Sequence, residues 1–179
     1  MALDNHTSVA TFTSSIKNTG DTPVNLSYLN AATLSLPMHF SGIRGFEGRW
    51  SNEFQTQDHD LFMGSYVREN RRGKTSHDTF PGLLAYPKGT AELYGECMGF
   101  HLGASANHRL RAEMMADGRS YVQFGELLFP GEVSLASGES YTSPVLYAGY
   151  AHNGFSALSR QFHEYIRANV LRHLSLIHI

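Results

Sequence analysis

Hydrolysis with retention of configuration by paired carboxylates, one as nucleophile and one as acid/base, needs two acids held about 5–5.5 Å apart on rigid elements. The acidic residues of this sequence include Glu47, Glu53, Asp58, Asp60, Asp78, Glu92, Glu96, Glu126, Glu132 and Glu139, and no spacing among them pairs any two convincingly. Glu126 and Glu132 flank Leu127-Leu128-Phe129-Pro130-Gly131, which reads as a strand end and a turn. Acids in that setting are solvated or cap backbone groups rather than catalyse. Thr75-Ser76-His77-Asp78 sets Ser, His and Asp side by side, but members of a catalytic triad meet in space rather than along the chain, so a hydrogen-bonded loop is the better reading. Ten histidines form no HExxH or HxH pattern, and neither a Walker loop nor a GxGxxG turn is present, so the sequence offers no motif for a metal, a nucleotide or another cofactor. The lone cysteine, Cys97, sits in the apolar run Glu96-Cys97-Met98-Gly99-Phe100 and reads as a buried structural thiol.

The single tryptophan carries more information. Trp50 lies in Gly48-Arg49-Trp50-Ser51-Asn52-Glu53, an irregular polar stretch between Phe46 and Phe54. An indole there presents an apolar face to the C–H surface of a sugar and an N–H to a hydroxyl. Arg49 can donate to hydroxyls and Glu53 can accept from them. The residues alone leave two readings open, a core plug and a ligand platform.

The elements that must position these residues are mostly strands. Alternation over residues 9–16, a turn at Asn18-Thr19-Gly20-Asp21 and a second run through Val24, Leu26 and Tyr28 predict an opening hairpin. Further strands are expected at Met63–Glu69, Leu83–Tyr86, Glu92–Leu102, Arg109–Met115, Tyr121–Leu128, Gly131–Leu135 and Val145–Tyr150. One segment changes period: Phe155, Leu158, Phe162, Tyr165, Ile166 and Val170 recur at helical steps after Asn153-Gly154. The expected fold is therefore mainly β, an antiparallel sandwich with one C-terminal amphipathic helix.

With 179 residues, 41% hydrophobic and 17% charged, the composition suits one globular domain. A net charge of −2 without a basic stripe argues against nucleic acid or an anionic membrane as partner. No stretch approaches the ~18 apolar residues of a membrane span. The start, Met1-Ala2-Leu3-Asp4-Asn5-His6, lacks the charged and apolar regions of a signal peptide, and one cysteine cannot form an internal disulfide; both suit the cytoplasm. Leu174-Ser175-Leu176-Ile177-His178-Ile179 continues no pattern and resembles translated transposon-end adapter, so residues 174–179 are expected to be a non-native tail.

Several short stretches together resemble family 36 glycoside hydrolases, the bacterial α-galactosidases. They are Gly45-Phe46-Glu47-Gly48-Arg49-Trp50-Ser51-Asn52-Glu53, Arg71-Arg72-Gly73-Lys74-Thr75-Ser76-His77, Tyr94-Gly95-Glu96, Ser105-Ala106-Asn107 and Pro130-Gly131-Glu132. The set ends with Asn153-Gly154-Phe155-Ser156-Ala157-Leu158-Ser159 and Phe162-His163-Glu164-Tyr165, and covers roughly residues 7–172. Ala106 departs from the Gly that the family commonly places before Asn.

The resemblance implies a fold: part of an N-terminal β-supersandwich at 1–152, then a helix at 153–173 leading toward a (β/α)8 barrel that this chain does not contain. The catalytic Asp pair would lie in that barrel, so the chain itself is expected to hold no catalytic residue and to be inactive. The resemblance also moves Trp50 from an open question to an expected sugar contact, since the family's Trp in the matching Gly-x-Trp-x-x-Glu stretch reaches the galactose site. Arg49 and Glu53 join it as candidate substrate-binding residues, and Arg72, Gly73, Ser76 and His77 match a motif expected to buttress the site. The implied parent is a retaining, cofactor-free α-galactosidase acting on raffinose-type oligosaccharides, and a homo-oligomer. The alternatives are an α-N-acetylgalactosaminidase, a galactosyl-transferring relative, or a non-catalytic carbohydrate-binding β-sandwich.

Overall fold

In the computed structural model, residues 1–75 and 78–171 are described. Ser76, His77 and the expected tail at 174–179 lie outside the described residues. Among the described residues, fifteen strands and one α-helix follow in order. The first seven strands are β1 (Ala2–Leu3), β2 (Ala10–Phe12), β3 (Ser15–Lys17), β4 (Val24–Leu26), β5 (Tyr28–Leu36), β6 (Gly42–Arg49) and β7 (Asn52–Asp60). Then come β8 (Gly64–Asn70), β9 (Gly82–Tyr86), β10 (Cys97–Leu102), β11 (His108–Met114) and β12 (Ser120–Leu127). Last are β13 (Val133–Leu135), β14 (Ser140–Thr142), β15 (Leu146–Ala151) and α1 (Phe155–Tyr165), which runs into a π-helical turn at Ile166–Val170.

A seven-stranded antiparallel sheet, ordered β1-β2-β15-β10-β9-β6-β7, faces a second sheet of β11-β12-β5. The period of two puts alternate residues of each strand into the space between them. Ile43, Leu83, Phe100 and Leu146 from the first sheet meet Leu110, Val122 and Phe124 from the second, all at most 2% exposed. The Phe100 and Phe124 rings approach to 5.9 Å across the layers. The expected mostly antiparallel β fold with one C-terminal helix is what is observed.

The outer face of the large sheet carries α1. Leu84 and Tyr86 point to this side and pack with Cys97, Ala151, Phe155, Leu158 and Phe162. Gly99 and Gly149 sit directly opposite each other on β10 and β15. A Cβ at Gly99 would lie 2.9 Å from Leu158 Cδ2, and one at Gly149 3.1 Å from Leu158 Cδ1. The glycine pair thus flattens the sheet where the helix rests. Two of the helix's first N–H groups, which lack intrahelical acceptors, bond the Ala91 carbonyl from Phe155 (3.1 Å) and the Glu92 carbonyl from Ser156 (3.0 Å).

Two expectations are corrected. The opening hairpin does not form: β2 pairs with β15, β3 with β14, β4 with β13 and β5 with β12. The turn residue Asn18 explains the diversion, because its side-chain amide donates to Leu135 O as well as Thr22 O, both at 2.9 Å. The strand expected from Glu92 begins only at Cys97. Gly95, at φ 93, turns the chain so that residues 91–95 cap α1 instead.

Candidate functional site

Trp50 stands at the end of the β6–β7 hairpin, a feature absent from the strands read in the sequence. Its two-residue tip is Trp50-Ser51, with Arg49 paired to Asn52. The sequence hid it because all nine residues of β7, Asn52–Asp60, are exposed and mostly polar, so no apolar alternation marks the strand. The indole is 84% exposed. That rules out the core plug.

The tip depends on close backbone approach. Gly48 faces both Glu53 and Phe54 across a register shift, and a Cβ there would lie 2.4 Å from Asn52 O and 2.7 Å from Glu53 Cα. Ser51 (φ 63) and Phe54 (φ 54) both adopt left-handed backbone, an uncommon state for residues with a Cβ. The Ser51 N–H donates to Glu53 Oε1 at 3.0 Å, and Gln55 Nε2 donates to Glu53 O at 3.2 Å. Glu53 therefore braces the turn with one carboxylate oxygen. Arg49 is exposed beside Trp50. The structure thus gathers Arg49, Trp50 and Glu53 on one projecting tip.

Below the tip the ribbon is fastened at two levels. Phe80, from the loop between β8 and β9, takes the rings of Phe46 (5.7 Å) and Phe54 (5.5 Å) edge-on. Contacts of this geometry contribute about 0.5–1.5 kcal/mol each beyond burial. Nearer the base, Arg44 grips Asp58 through Nε (2.7 Å) and Nη2 (2.9 Å), while Tyr86 OH donates to Asp58 Oδ1 at 2.8 Å. The Arg44 hydrogen bonds hold the Asp58 carboxyl below its ordinary value. Burial first, and then the bond to Asp58, pushes the Tyr86 phenol up to about 12. The Arg44 guanidinium also lies 4.4 Å over the Phe155 ring, so the same group ties ribbon and helix together.

The Arg-rich motif is a loop scaffold over its described part. Asn70, 1% exposed, donates to Lys74 O (2.7 Å) and Ala106 O (3.2 Å). Asn107 Oδ1 accepts from Gly73 N–H at 2.7 Å, and Thr75 Oγ1 donates to Ala104 O at 2.8 Å. Arg72 pairs with Asp78. The motif's Ser76 and His77 lie outside the described residues.

The other chemical candidates have structural employment. Glu126 accepts from Tyr141 OH at 2.8 Å, and Glu132 Oε2 accepts the Phe129 N–H at 2.6 Å. Cys97 is fully buried, and burial pushes its thiol up to about 11, which keeps it protonated and unreactive at neutral pH. Among the described residues no cluster of three or more His, Cys, Asp or Glu could hold a metal, and no helix is long and apolar enough to cross a membrane.

Comparison with known proteins agrees with this architecture. A family profile described as the glycosyl hydrolase family 36 N-terminal domain matches residues 1–136. An alpha-galactosidase from Escherichia coli is 41% identical over 142 residues, which are 79% of this chain and 20% of that protein. The bifunctional alpha-galactosidase/sucrose kinase AgaSK of Mediterraneibacter gnavus is 33% identical over 88% of this chain and 17% of its own length. The solved galactosidase domain of AgaSK superposes with a TM-score of 0.88 over 94% of this chain and 23% of that one, at 32% identity. A variant of alpha-galactosidase AgaA from Geobacillus stearothermophilus, solved in complex with raffinose, superposes with a TM-score of 0.81 over 93% of this chain and 23% of that one, at 25% identity. The chain thus spans about a fifth of the length of the relatives it matches.

Proposed function

The chain belongs to glycosyl hydrolase family 36, and on that footing we propose that it is the β-domain of an alpha-galactosidase, supplying Trp50 as one wall of a galactose site. The parent enzyme would hydrolyse terminal α-galactosides of the raffinose and stachyose kind with retention and without a cofactor. The reading divides the chain into β-supersandwich at 1–152, a helix toward a barrel at 153–173 and a non-native tail at 174–179. It places the parent in the cytoplasm as a homo-oligomer.

The observation that carries the reading is the exposed indole at the end of a braced ribbon, on a chain whose relatives are alpha-galactosidases. An indole held out from the protein offers its whole face to the C–H surface of a hexose. Arg49 and Glu53 flank it within the same turn, where donor and acceptor can reach ring hydroxyls. The acids whose contacts are described here serve turns, ion pairs and strand pairing, which fits a domain that shapes a site whose chemistry lies elsewhere.

Two measurements test the proposal. The purified 179-residue chain is expected to release no nitrophenol from an aryl α-galactoside, since retention needs two carboxylates about 5–5.5 Å apart. Turnover by this chain overturns the assignment of catalysis to another domain. In the longer reading frame, Trp50→Ala is expected to lower kcat/KM by about 10- to 100-fold, the usual cost of removing a buried-on-binding aromatic anchor. An unchanged kcat/KM there removes Trp50 from the site.

A further inference from the structure

The β6–β7 ribbon outruns the sheet that carries it. β9 pairs with β6 only from Gly42 to Gly45, whereas β7 stays paired with β6 to Arg49. Four residues of β6 and their partners therefore extend beyond the last three-strand contact, a reach of about 13 Å at strand rise. A two-stranded ribbon is at best marginally stable by itself. Its outer strand is exposed throughout, so β7 buries little to hold it. Trp50 sits at the far end of this overhang.

The overhang meets the rest of the molecule at a ring and an ion pair. Half-buried Phe80 lies edge-on between Phe46 on one strand and Phe54 on the other. Its own position is fixed from behind by the His101 ring at 5.0 Å, and Gly82 makes room for it, since a Cβ there would lie 2.5 Å from Phe80 Cε1. Phe54 reaches this ring from a left-handed backbone at the bulge opposite Gly48, the kind of irregularity that re-aims a side chain. Arg68 adds the second tie: it donates to Asp78 O at 3.0 Å and pairs with Glu47 of the overhang. Loop and ribbon are thus locked to each other.

We infer that Phe80 is the positioning residue for Trp50: the loop between β8 and β9 exists to wedge this ring under the hairpin and fix the direction of the indole. The function of that direction rests on the reading of Trp50 as a sugar contact. The wedge itself does not. The same assignment gives the Arg71–Thr75 stretch a role, because the bonds given by Asn70 and Thr75, and the one Asn107 accepts from Gly73, anchor the start of the segment that carries Phe80.

Trp50 is the sole tryptophan, so its fluorescence anisotropy decay reports the ribbon tip directly in the full 179-residue chain, without sugar. In Phe80→Ser the amplitude of the nanosecond segmental component is expected to rise about two-fold, the signature of a freed loop tip. Phe80→Leu, which keeps bulk and loses the ring edges, is expected to fall between. A purely structural role would lower the unfolding midpoint while leaving that amplitude unchanged, and this result overturns the inference. Should the serine variant fail to fold, the leucine variant decides on the same reading. Since no ligand is present, a failed sugar contact at Trp50 and a failed wedge at Phe80 show up in separate experiments.

Discussion

The spacing of Arg49, Trp50 and Glu53 kept them within one turn, but the residues alone left Trp50 open between a core plug and a ligand platform, and it took the 84% exposure of the indole to remove the plug. What the spacing could not convey was that a nine-residue exposed strand continues the turn, or that Phe80, thirty residues on, supports it. Ring contacts across that separation leave no periodic trace. Two other residues carry a prediction at this scale. Burial lowers the imidazole pKa of His108, which is 1% exposed and donates from Nδ1 to Ala106 O at 3.1 Å. Burial, and then the nearby charge of His108, lowers that of His101. In the unfolded chain both rings take up protons near the ordinary value of 6.5, while the folded protein resists until lower pH. Their contribution to stability is therefore complete above pH 6.5 and declines as pH falls below it, at up to about 1.4 kcal/mol per pH unit per ring. Urea midpoints at about pH 7.5 and about pH 5.5 should show the drop, and His108→Gln should shrink it. Equal pH dependence in parent and variant counts against His108.

At the scale of elements, strands with one buried face announced themselves, and the expected runs at Leu83–Tyr86, Arg109–Met115, Tyr121–Leu128 and Val145–Tyr150 each overlap an observed strand. Pairing was less legible. The opening segments alternate properly, yet each finds a distant partner, the nearest such pair in sequence being Leu36 with Ser120, because Asn18 ties the turn to β13 and its neighbours. The helix was legible from its period, but the sequence did not indicate what it rests on. Facing glycines have no side chain to pattern, and only pairing reveals that Gly99 and Gly149 are neighbours under Leu158 and Phe162. Gly99→Val should therefore lift α1 from the sheet and cost about 1–3 kcal/mol, the usual penalty of overpacking. Gly20→Ala, whose Cβ would meet its nearest neighbour at an ordinary 3.5 Å, should stay close to the parent. Chemical denaturation of both variants checks the contrast; equal stability of the two would show that the helix does not need a flat seat.

For the whole molecule, the helix covers only part of the sheet face that it borders. Between them runs an open groove of about 690 Å³, walled on one side by Phe46, Phe80 and Leu84 and on the other by Phe162, Ile166 and Val170. Ile166 is 40% exposed and Val170 52%, so the apolar stripe that the sequence marks as a helix face continues past its support. Patches of this kind on a water-soluble protein draw apolar partners or aggregate. The long outer edge at β7 adds unpaired backbone groups beside it, although its Asp58, His59 and Asp60 blunt strand-on-strand pairing in the way that charged edges do. The groove, not the edge, should then dominate the behaviour of the 179-residue chain. Purified alone, it is expected to enhance the fluorescence of an apolar dye and to gain mass in light scattering as concentration rises about ten-fold, since association is driven by mass action. Ile166→Glu with Val170→Glu should suppress both signals while leaving the sandwich core intact, because neither side chain is part of it. A concentration-independent monomer with a sharp melt and no dye binding would show instead that the groove closes by itself.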